Sequence, residues 1–410
     1  MKILSADYLL TCDEDFTILK DAAVCFDEKI IDIGDKDSII QKYPYAIVKH
    51  LSPNSVIMPG LINTHVHLEF SANKTTLEYG DFTRWLQSVI EKREALTKRC
   101  VSGCFEEAIE QMVLSGVSAF GEISSFGADL NICFKAPQRV VFFNEILGSN
   151  TKFADDIEKD FKYRLNKSCD FESEHFTTAL SVHSLYSTHP KILDFALNIA
   201  KENDFLISTH FMESYAEREW VDKAQGDFSD FLKRFNPEPK PMYGSAMEFL
   251  KKFEGLDTLF VHGGACRDDE LDFISKNGTL SQCVVSNRLL NNPILGIEKA
   301  MSKGVSMSLG SDGLSSNNSL NMWDELRAAL FAHADVNTLE LSKLLIKFAT
   351  VNGAKALKLD GCGTIEKEKN ADIITIVLPD KVSSLDQIPL ELILHTTEVK
   401  SGYIDGERYV

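Results

Sequence analysis

Two histidines one residue apart, His65 and His67, close the apolar stretch Val56-Ile57-Met58-Pro59-Gly60-Leu61-Ile62-Asn63-Thr64-His65-Val66-His67. On a strand, side chains at i and i+2 point to the same face. Both imidazoles can therefore reach one metal ion from a single strand end. A lone His-x-His is close to chance as a ligand pair. Further candidates raise its weight. His183 ends a second apolar run, and His210 with Glu213 ends a third. His262 ends a fourth, and Asp312 follows a fifth in Leu309-Gly310-Ser311-Asp312-Gly313. Of ten histidines, five fall at these ends. His50, His175, His189, His333 and His395 lie elsewhere and read as structural or solvated.

Three imidazoles and a carboxylate (His65, His67, His210 and Asp312) make a nitrogen/oxygen donor set. It suits Zn²⁺ or Fe²⁺ and matches Mg²⁺ or Ca²⁺ poorly. An ion in such a site lowers the pKa of bound water from about 15.7 towards roughly 7, giving hydroxide at neutral pH. His262 is placed to orient that water or polarise a substrate atom. Asp312 can ligate the ion and accept the water proton, and Glu213 is a candidate proton shuttle.

The elements that must hold these groups alternate. Strand-length apolar runs cover 61–67, 117–124, 140–147, 177–183, 205–211, 258–263, 279–286 and 305–310, with helical patterns between most of them. Eight strands alternating with helices over some 300 residues predict a closed (β/α)₈ barrel of the TIM type, with its chemistry at the C-terminal strand ends. An open doubly wound sheet usually carries a glycine-rich phosphate loop after its first strand, and none is present. Residues 1–55 read as short strands and turns, and 364–366, 371–378, 392–396 and 403–410 return to strand character. The expectation is a small β-sandwich domain from 1–55 and 360–410, beside a barrel over 56–359.

Bulk composition narrows the class. The 410-residue chain is 44% hydrophobic and 25% charged, with a net charge of -18 and a pI of about 5.0. That disfavours a general nucleic-acid surface and leaves room for a single nucleoside in a pocket. No apolar run reaches the roughly 20 residues of a membrane span, and the N-terminus lacks a signal-peptide core. Nine scattered cysteines read as reduced thiols of a cytoplasmic protein, Cys100 and Cys104 as two buried apolar ones. A homodimer is the assembly allowed for.

The stretch from Met58 to His67, His210-Phe211-Met212-Glu213, Ser286-Asn287 and Leu309-Gly310-Ser311-Asp312-Gly313 together resemble the amidohydrolase superfamily. The branch is that of adenosine-type deaminases and chlorohydrolases, and the likeness spans essentially the whole chain. It implies one metal ion on His65, His67, His210 and Asp312, with acid–base work at Glu213, His262 and Asp312. It implies substrate contact at His183, and Asn317-Asn318 match the branch as well as reading as a turn and helix cap. Two-metal relatives need a carboxylated lysine at a middle strand end, and none is available here. The implied reaction is hydrolytic deamination: hydroxide attacks the amino-bearing ring carbon while Glu213 protonates the adjacent ring nitrogen.

His67-Leu68-Glu69-Phe70-Ser71 is similar to the subgroup that converts 6-amino-6-deoxyfutalosine to futalosine in menaquinone biosynthesis. That nucleoside carries a carboxyphenyl ketone. The alternative is an adenosylhomocysteine/methylthioadenosine deaminase or a chlorohydrolase-like enzyme. Those deaminases carry Glu before a following Trp, where this chain has Asp81-Phe82-Thr83-Arg84-Trp85. Glu69 is expected to face the substrate. Arg84 or Arg288 is expected to pair with its carboxylate, since guanidinium forks match carboxylates. Phe70, Phe82, Trp85, Phe126 and Phe211 are the candidate aromatic walls.

Overall fold

The computed structural model describes residues 1–73, 75–100 and 103–410, with the side chains of 97–100 left aside. Eight parallel strands form the barrel: β1 (Leu61–Val66), β2 (Val117–Ser124), β3 (Arg139–Ile146), β4 (Phe176–Ser184), β5 (Ile207–Phe211), β6 (Thr258–His262), β7 (Gly278–Gln282) and β8 (Ser306–Leu309). They are hydrogen-bonded in sequence order. Strands β1, β2, β3, β5 and β6 are buried along their full length, as expected when helices cover the outside of a parallel sheet.

The join between β1 and β8 is made by polar side chains. Thr64 Oγ1 donates to the Leu309 carbonyl at 2.9 Å and lies 2.7 Å from Ser281 Oγ. Asn63 Nδ2 donates to Ser311 Oγ at 2.7 Å, and its Oδ1 accepts the Ser311 N–H at 3.0 Å. The Asp312 N–H reaches the His65 carbonyl at 3.0 Å. These bonds fix the last strand end against the first. A Cβ on Gly310 would sit 2.7 Å from His65 Cβ, so only glycine permits this approach.

The sandwich expected of the chain ends is built from one hydrogen-bonded mixed sheet. Ser55–Pro59 lies inside it, parallel to Lys2–Leu10 and antiparallel to Ile373–Val377. The strand character read at 392–396 is overturned: Ile388–His395 is a helix with Pro389 in its first turn. A short buried apolar run has no periodicity to separate strand from helix. The expected strand 279–286 stops at Gln282, and Val284–Leu289 is helical. Arg139, at the start of β3, ties the barrel to the small sheet through a 2.9 Å bond from Nε to Asp372.

Among the described residues no helix is long and apolar enough to cross a membrane. Among the described residues seven cysteines are free, whereas Cys104 is disulfide-bonded, which corrects its reading as a reduced thiol. The reading of Cys100 lies outside the described side chains.

Candidate active site

The C-terminal ends of β1, β5, β6 and β8 converge. His65 and His67 leave β1 on one face, as the i, i+2 rule demands. His67 Nε2 lies 3.3 Å from His210 Nε2 and 3.8 Å from Asp312 Oδ1, and His65 Nε2 lies 4.0 Å from Asp312 Oδ1. Zinc–nitrogen bonds of about 2.0–2.1 Å in a tetrahedron put donors roughly 3.4 Å apart, so this spacing fits one ion. Both ring nitrogens of His65 and Nδ1 of His67 are buried without any hydrogen-bond partner. Orphaned buried nitrogens are costly unless something binds them. The donor set and its orphans therefore fit a divalent transition metal.

The surroundings set the state of each group. His210 Nδ1 faces the His183 carbonyl at 2.9 Å. A carbonyl only accepts, so Nδ1 carries the proton and Nε2 presents its lone pair inward. Burial, with the neighbouring imidazoles, holds His65 and His210 well below the usual histidine range, which keeps them neutral as ligands must be. Burial pushes the Asp312 carboxyl up. His67 and His262, the Ser286 hydroxyl at 2.7 Å and the Gly313 N–H at 2.7 Å outweigh it, so the group sits below its ordinary value and is ionised.

Glu213 has the opposite character. Burial first, then the charges of Asp312 and Glu217, hold its carboxyl well above the carboxylate range. Its Oε1 accepts Asn292 Nδ2–H at 3.0 Å, which leaves Oε2 to carry the proton. That oxygen lies 3.8 Å from His262 Nε2. His262 Nδ1 bonds Asn287 Oδ1 at 2.9 Å, while Asn287 Nδ2 donates to the Pro293 carbonyl at 2.7 Å. The carbonyl bond fixes which way the Asn287 amide points, and that fixes the His262 tautomer with its Nε2 lone pair facing the site. His262 and Asp312 both adopt left-handed backbone, φ 70° and 57°. Such conformations cost about 1–3 kcal/mol in a non-glycine residue and mark functional positions.

These groups line the inner end of a cavity of about 370 Å³. His67, His183, His210, Glu213, His262 and Asp312 face it there, with Glu145 from β3. Glu145 Oε2 accepts the Ser125 hydroxyl at 2.5 Å, while its buried Oε1 has no partner. The outer end is apolar and aromatic, with Phe70, Trp85, Phe126, Phe231 and Phe235. Helix α1 (Phe82–Cys100) forms much of this wall. Asp81 caps it by accepting the Arg84 N–H at 2.9 Å, and Trp85 Nε1 donates to the Ser315 carbonyl at 2.8 Å. Trp85, Val89 and Arg93 line the cavity at i, i+4 and i+8, one face of the helix.

The sequence of residues 56–409 matches the model of the amidohydrolase family. The chain belongs to the amidohydrolase family. The aminodeoxyfutalosine deaminase of a Nitratiruptor species is 44% identical over 411 residues, covering all of both chains. A Helicobacter pylori protein named adenosine deaminase is 37% identical over 414 residues, again over all of both. The crystal structure of Helicobacter pylori aminofutalosine deaminase in complex with methylthio-coformycin matches with a TM-score of 0.96 at 37% identity, over the full length of both chains.

Within this amidohydrolase, three of the expected substrate contacts, Glu69, Arg84 and Arg288, do not line the cavity. Glu69 is buried and does not line the cavity. Its carboxylate accepts the backbone N–H groups of Ser125, Phe126 and Ala128 at 2.8, 2.9 and 2.9 Å, so it holds a loop. Arg84 and Arg288 are exposed and off the cavity, each on a helix face turned to solvent. Of the expected aromatic walls, Phe70, Trp85 and Phe126 line the cavity. Phe82 and Phe211 are packed in the core instead. Reading the sequence missed Asn292, Glu145 and Arg93. Glu145 had a signal, a carboxylate at a strand end, but Asn292 and Arg93 had none.

Proposed function

We propose that this amidohydrolase hydrolyses the exocyclic amino group from an adenine nucleoside, with aminodeoxyfutalosine as substrate and futalosine as product. The observation that carries the reading is Glu213, a buried carboxyl that lines the cavity with Oε1 taken by Asn292 and Oε2 3.8 Å from His262 Nε2, its burial favouring the protonated form. Amide hydrolysis has no ring nitrogen to protonate; deamination of a purine does. The 44% identity to an aminodeoxyfutalosine deaminase supports the choice of nucleoside.

His65, His67, His210 and Asp312 are the residues that would hold a single divalent ion, zinc or iron. Such an ion, when bound, acidifies water to a pKa of about 7. The protein's own groups do the rest. His262 Nε2 and Asp312 take up the water proton as oxygen adds to the amino-bearing ring carbon. Glu213 Oε2 gives its proton to the adjacent ring nitrogen. The stored proton then returns to the departing nitrogen, which leaves as ammonia, and the hydroxyl proton released as the ring carbonyl forms restores Glu213. Glu145 lines the cavity, where its carboxyl can accept a ribose hydroxyl.

Loss of the adenine ultraviolet band tests this on metal-replete protein, across aminodeoxyfutalosine, adenosine, methylthioadenosine and adenosylhomocysteine. The specific reading requires the first to be deaminated fastest. Equal or faster turnover of adenosine would favour the second reading, a broad adenosine deaminase, which the Helicobacter pylori relative of that name supports.

A further inference from the structure

We propose that Glu325, a buried carboxyl outside the cavity, is a positioning residue for the deamination. It anchors the segment 284–293, which in turn holds Asp312, His262 and Glu213. The inference rests on the nucleoside reading above. Neither Glu325 nor any of residues 284–293 is among those lining the cavity.

Strand β7 supplies none of the metal-binding or acid–base groups assigned above, but the chain that follows it supplies their partners. Ser286 Oγ donates to Asp312 Oδ2 at 2.7 Å. Asn287 Oδ1 faces His262 Nδ1 at 2.9 Å, and Asn292 Nδ2 donates to Glu213 Oε1 at 3.0 Å. The segment is also bonded to itself. The Asn292 N–H reaches the Asn287 carbonyl at 2.7 Å, and Asn287 Nδ2 donates to the Pro293 carbonyl at 2.7 Å. A shift of this segment therefore moves the partners of all three proton-handling groups together.

The segment begins with little support of its own. Val284–Leu289 is a helix of six residues, and a helix that short does not hold itself in water. Its N-cap is Cys283, whose side chain makes no capping hydrogen bond. The first N–H groups of a helix need acceptors from elsewhere. Glu325, on the helix Met322–Ala332, provides one: its Oε1 accepts the N–H groups of Val284 and Val285. Its Oε2 accepts Asn317 Nδ2–H at 3.4 Å, and the same amide nitrogen donates to the Ser311 carbonyl at 2.6 Å. Asn317, which matched the family pattern in the sequence, thus ties the residue before Asp312 to the same carboxyl. Glu325 is 1% exposed, so water cannot replace it as acceptor and its removal leaves buried N–H groups unpaired.

The test compares metal-loaded wild type, Glu325→Ala, Glu325→Asp and Glu325→Gln on the nucleoside that wild type turns over fastest. Turnover is counted per bound metal ion, well below each melting temperature. Gln keeps an oxygen at the place of Oε1, whereas Asp is one methylene too short. A misplacement of about 1 Å can cost about a hundredfold in rate. Glu325→Ala and Glu325→Asp are expected to lose about tenfold to a hundredfold in kcat with KM little changed, and Glu325→Gln to recover most of it. Glu325→Asp carries the comparison where Glu325→Ala does not fold. Hydrogen exchange of the amides in 284–293 reads the anchor without turnover: it should quicken in Ala and Asp and return towards wild type in Gln. Wild-type kcat in Glu325→Ala or Glu325→Asp overturns the inference, as does a loss of kcat without quicker exchange in 284–293. A merely structural role would lower the melting temperature and leave kcat per bound ion unchanged. Wild type that deaminates no nucleoside overturns the function beneath the inference.

Discussion

The two ends of the cavity are built in different ways. The inner end is assembled from strand termini, with His65 on β1 and His67 just past it, His210 on β5, His262 on β6 and Asp312 just past β8. His210, His262, Asp312 and the nearby Glu213 are backed by partners of fixed geometry, in turn the His183 carbonyl, Asn287, Ser286 and Asn292. The outer end comes from helix α1 and loops, and Arg93, Phe126 and Phe235 are all exposed there. Barrel strands share one hydrogen-bonded frame, so their ends hold their positions relative to one another. A helix face and loop tips can vary without disturbing that frame. Such a frame suits chemistry at the first, and variation in what is bound at the second.

The largest effect expected from breaking the inner end is at its ligands. His65→Ala should lose bound metal and reduce deamination to background, as read by elemental analysis alongside the ultraviolet assay; full metal content in the variant would refute the ligand assignment. Glu213→Gln should keep its metal and lose about 10²–10⁴-fold in kcat, the usual scale of general acid–base catalysis. With Glu213 as proton donor, wild-type kcat should fall as pH rises through its elevated pKa.

At the outer end the effects should be smaller. Phe126→Ala removes one partly exposed aromatic wall, worth about 0.5–1.5 kcal/mol, or roughly 2- to 13-fold. The loss should appear in KM, with kcat little changed. A loss in kcat as large as that of Glu213→Gln would mean the two ends are not separable.

The smallest effect concerns the scaffold of the inner end. Glu325 is buried and accepts N–H groups from Val284 and Val285, at the start of the helix that carries Ser286 and Asn287. Burial pushes its carboxyl up to about 8, despite those donors. Its folded pKa thus lies above its unfolded one. The contribution to stability is complete below the unfolded value near 4.5 and is lost as pH rises through about 8. Denaturant titrations should show stability falling over that window and a flatter profile in Glu325→Gln. Identical profiles would remove Glu325 as the cause.

What could be read in advance follows the same division. The barrel strands were visible because a parallel strand buried on both faces is a continuous apolar run, and ligands at its end stand out as polar residues that break it. The stretch from Val56 to Val66 is one largely apolar run, with the first barrel strand expected from Leu61. In the structure Pro59-Gly60 divides it, with Ser55–Pro59 in the small sheet and Leu61–Val66 in the barrel. Glu69 was read as a substrate contact because its place after His67 was known and its direction was not. Its side chain turns to the loop after β2, 56 residues or more further along the chain.

By itself the sequence pointed to the candidate metal-binding set and to the reaction class. Residue types and their positions at strand ends suffice for that, since the strand period fixes which face each ligand takes. Only the tertiary structure decided how the carboxyls differ in their surroundings and which arginine lines the cavity. Asn292 meets Glu213 across 79 residues and Arg93 meets Phe126 across a helix-to-loop contact, and neither distance is written in any local pattern. The pKa of Glu213 and the charge of the cavity mouth depend on burial and on neighbours brought together by closing the barrel. No spacing along the chain encodes either.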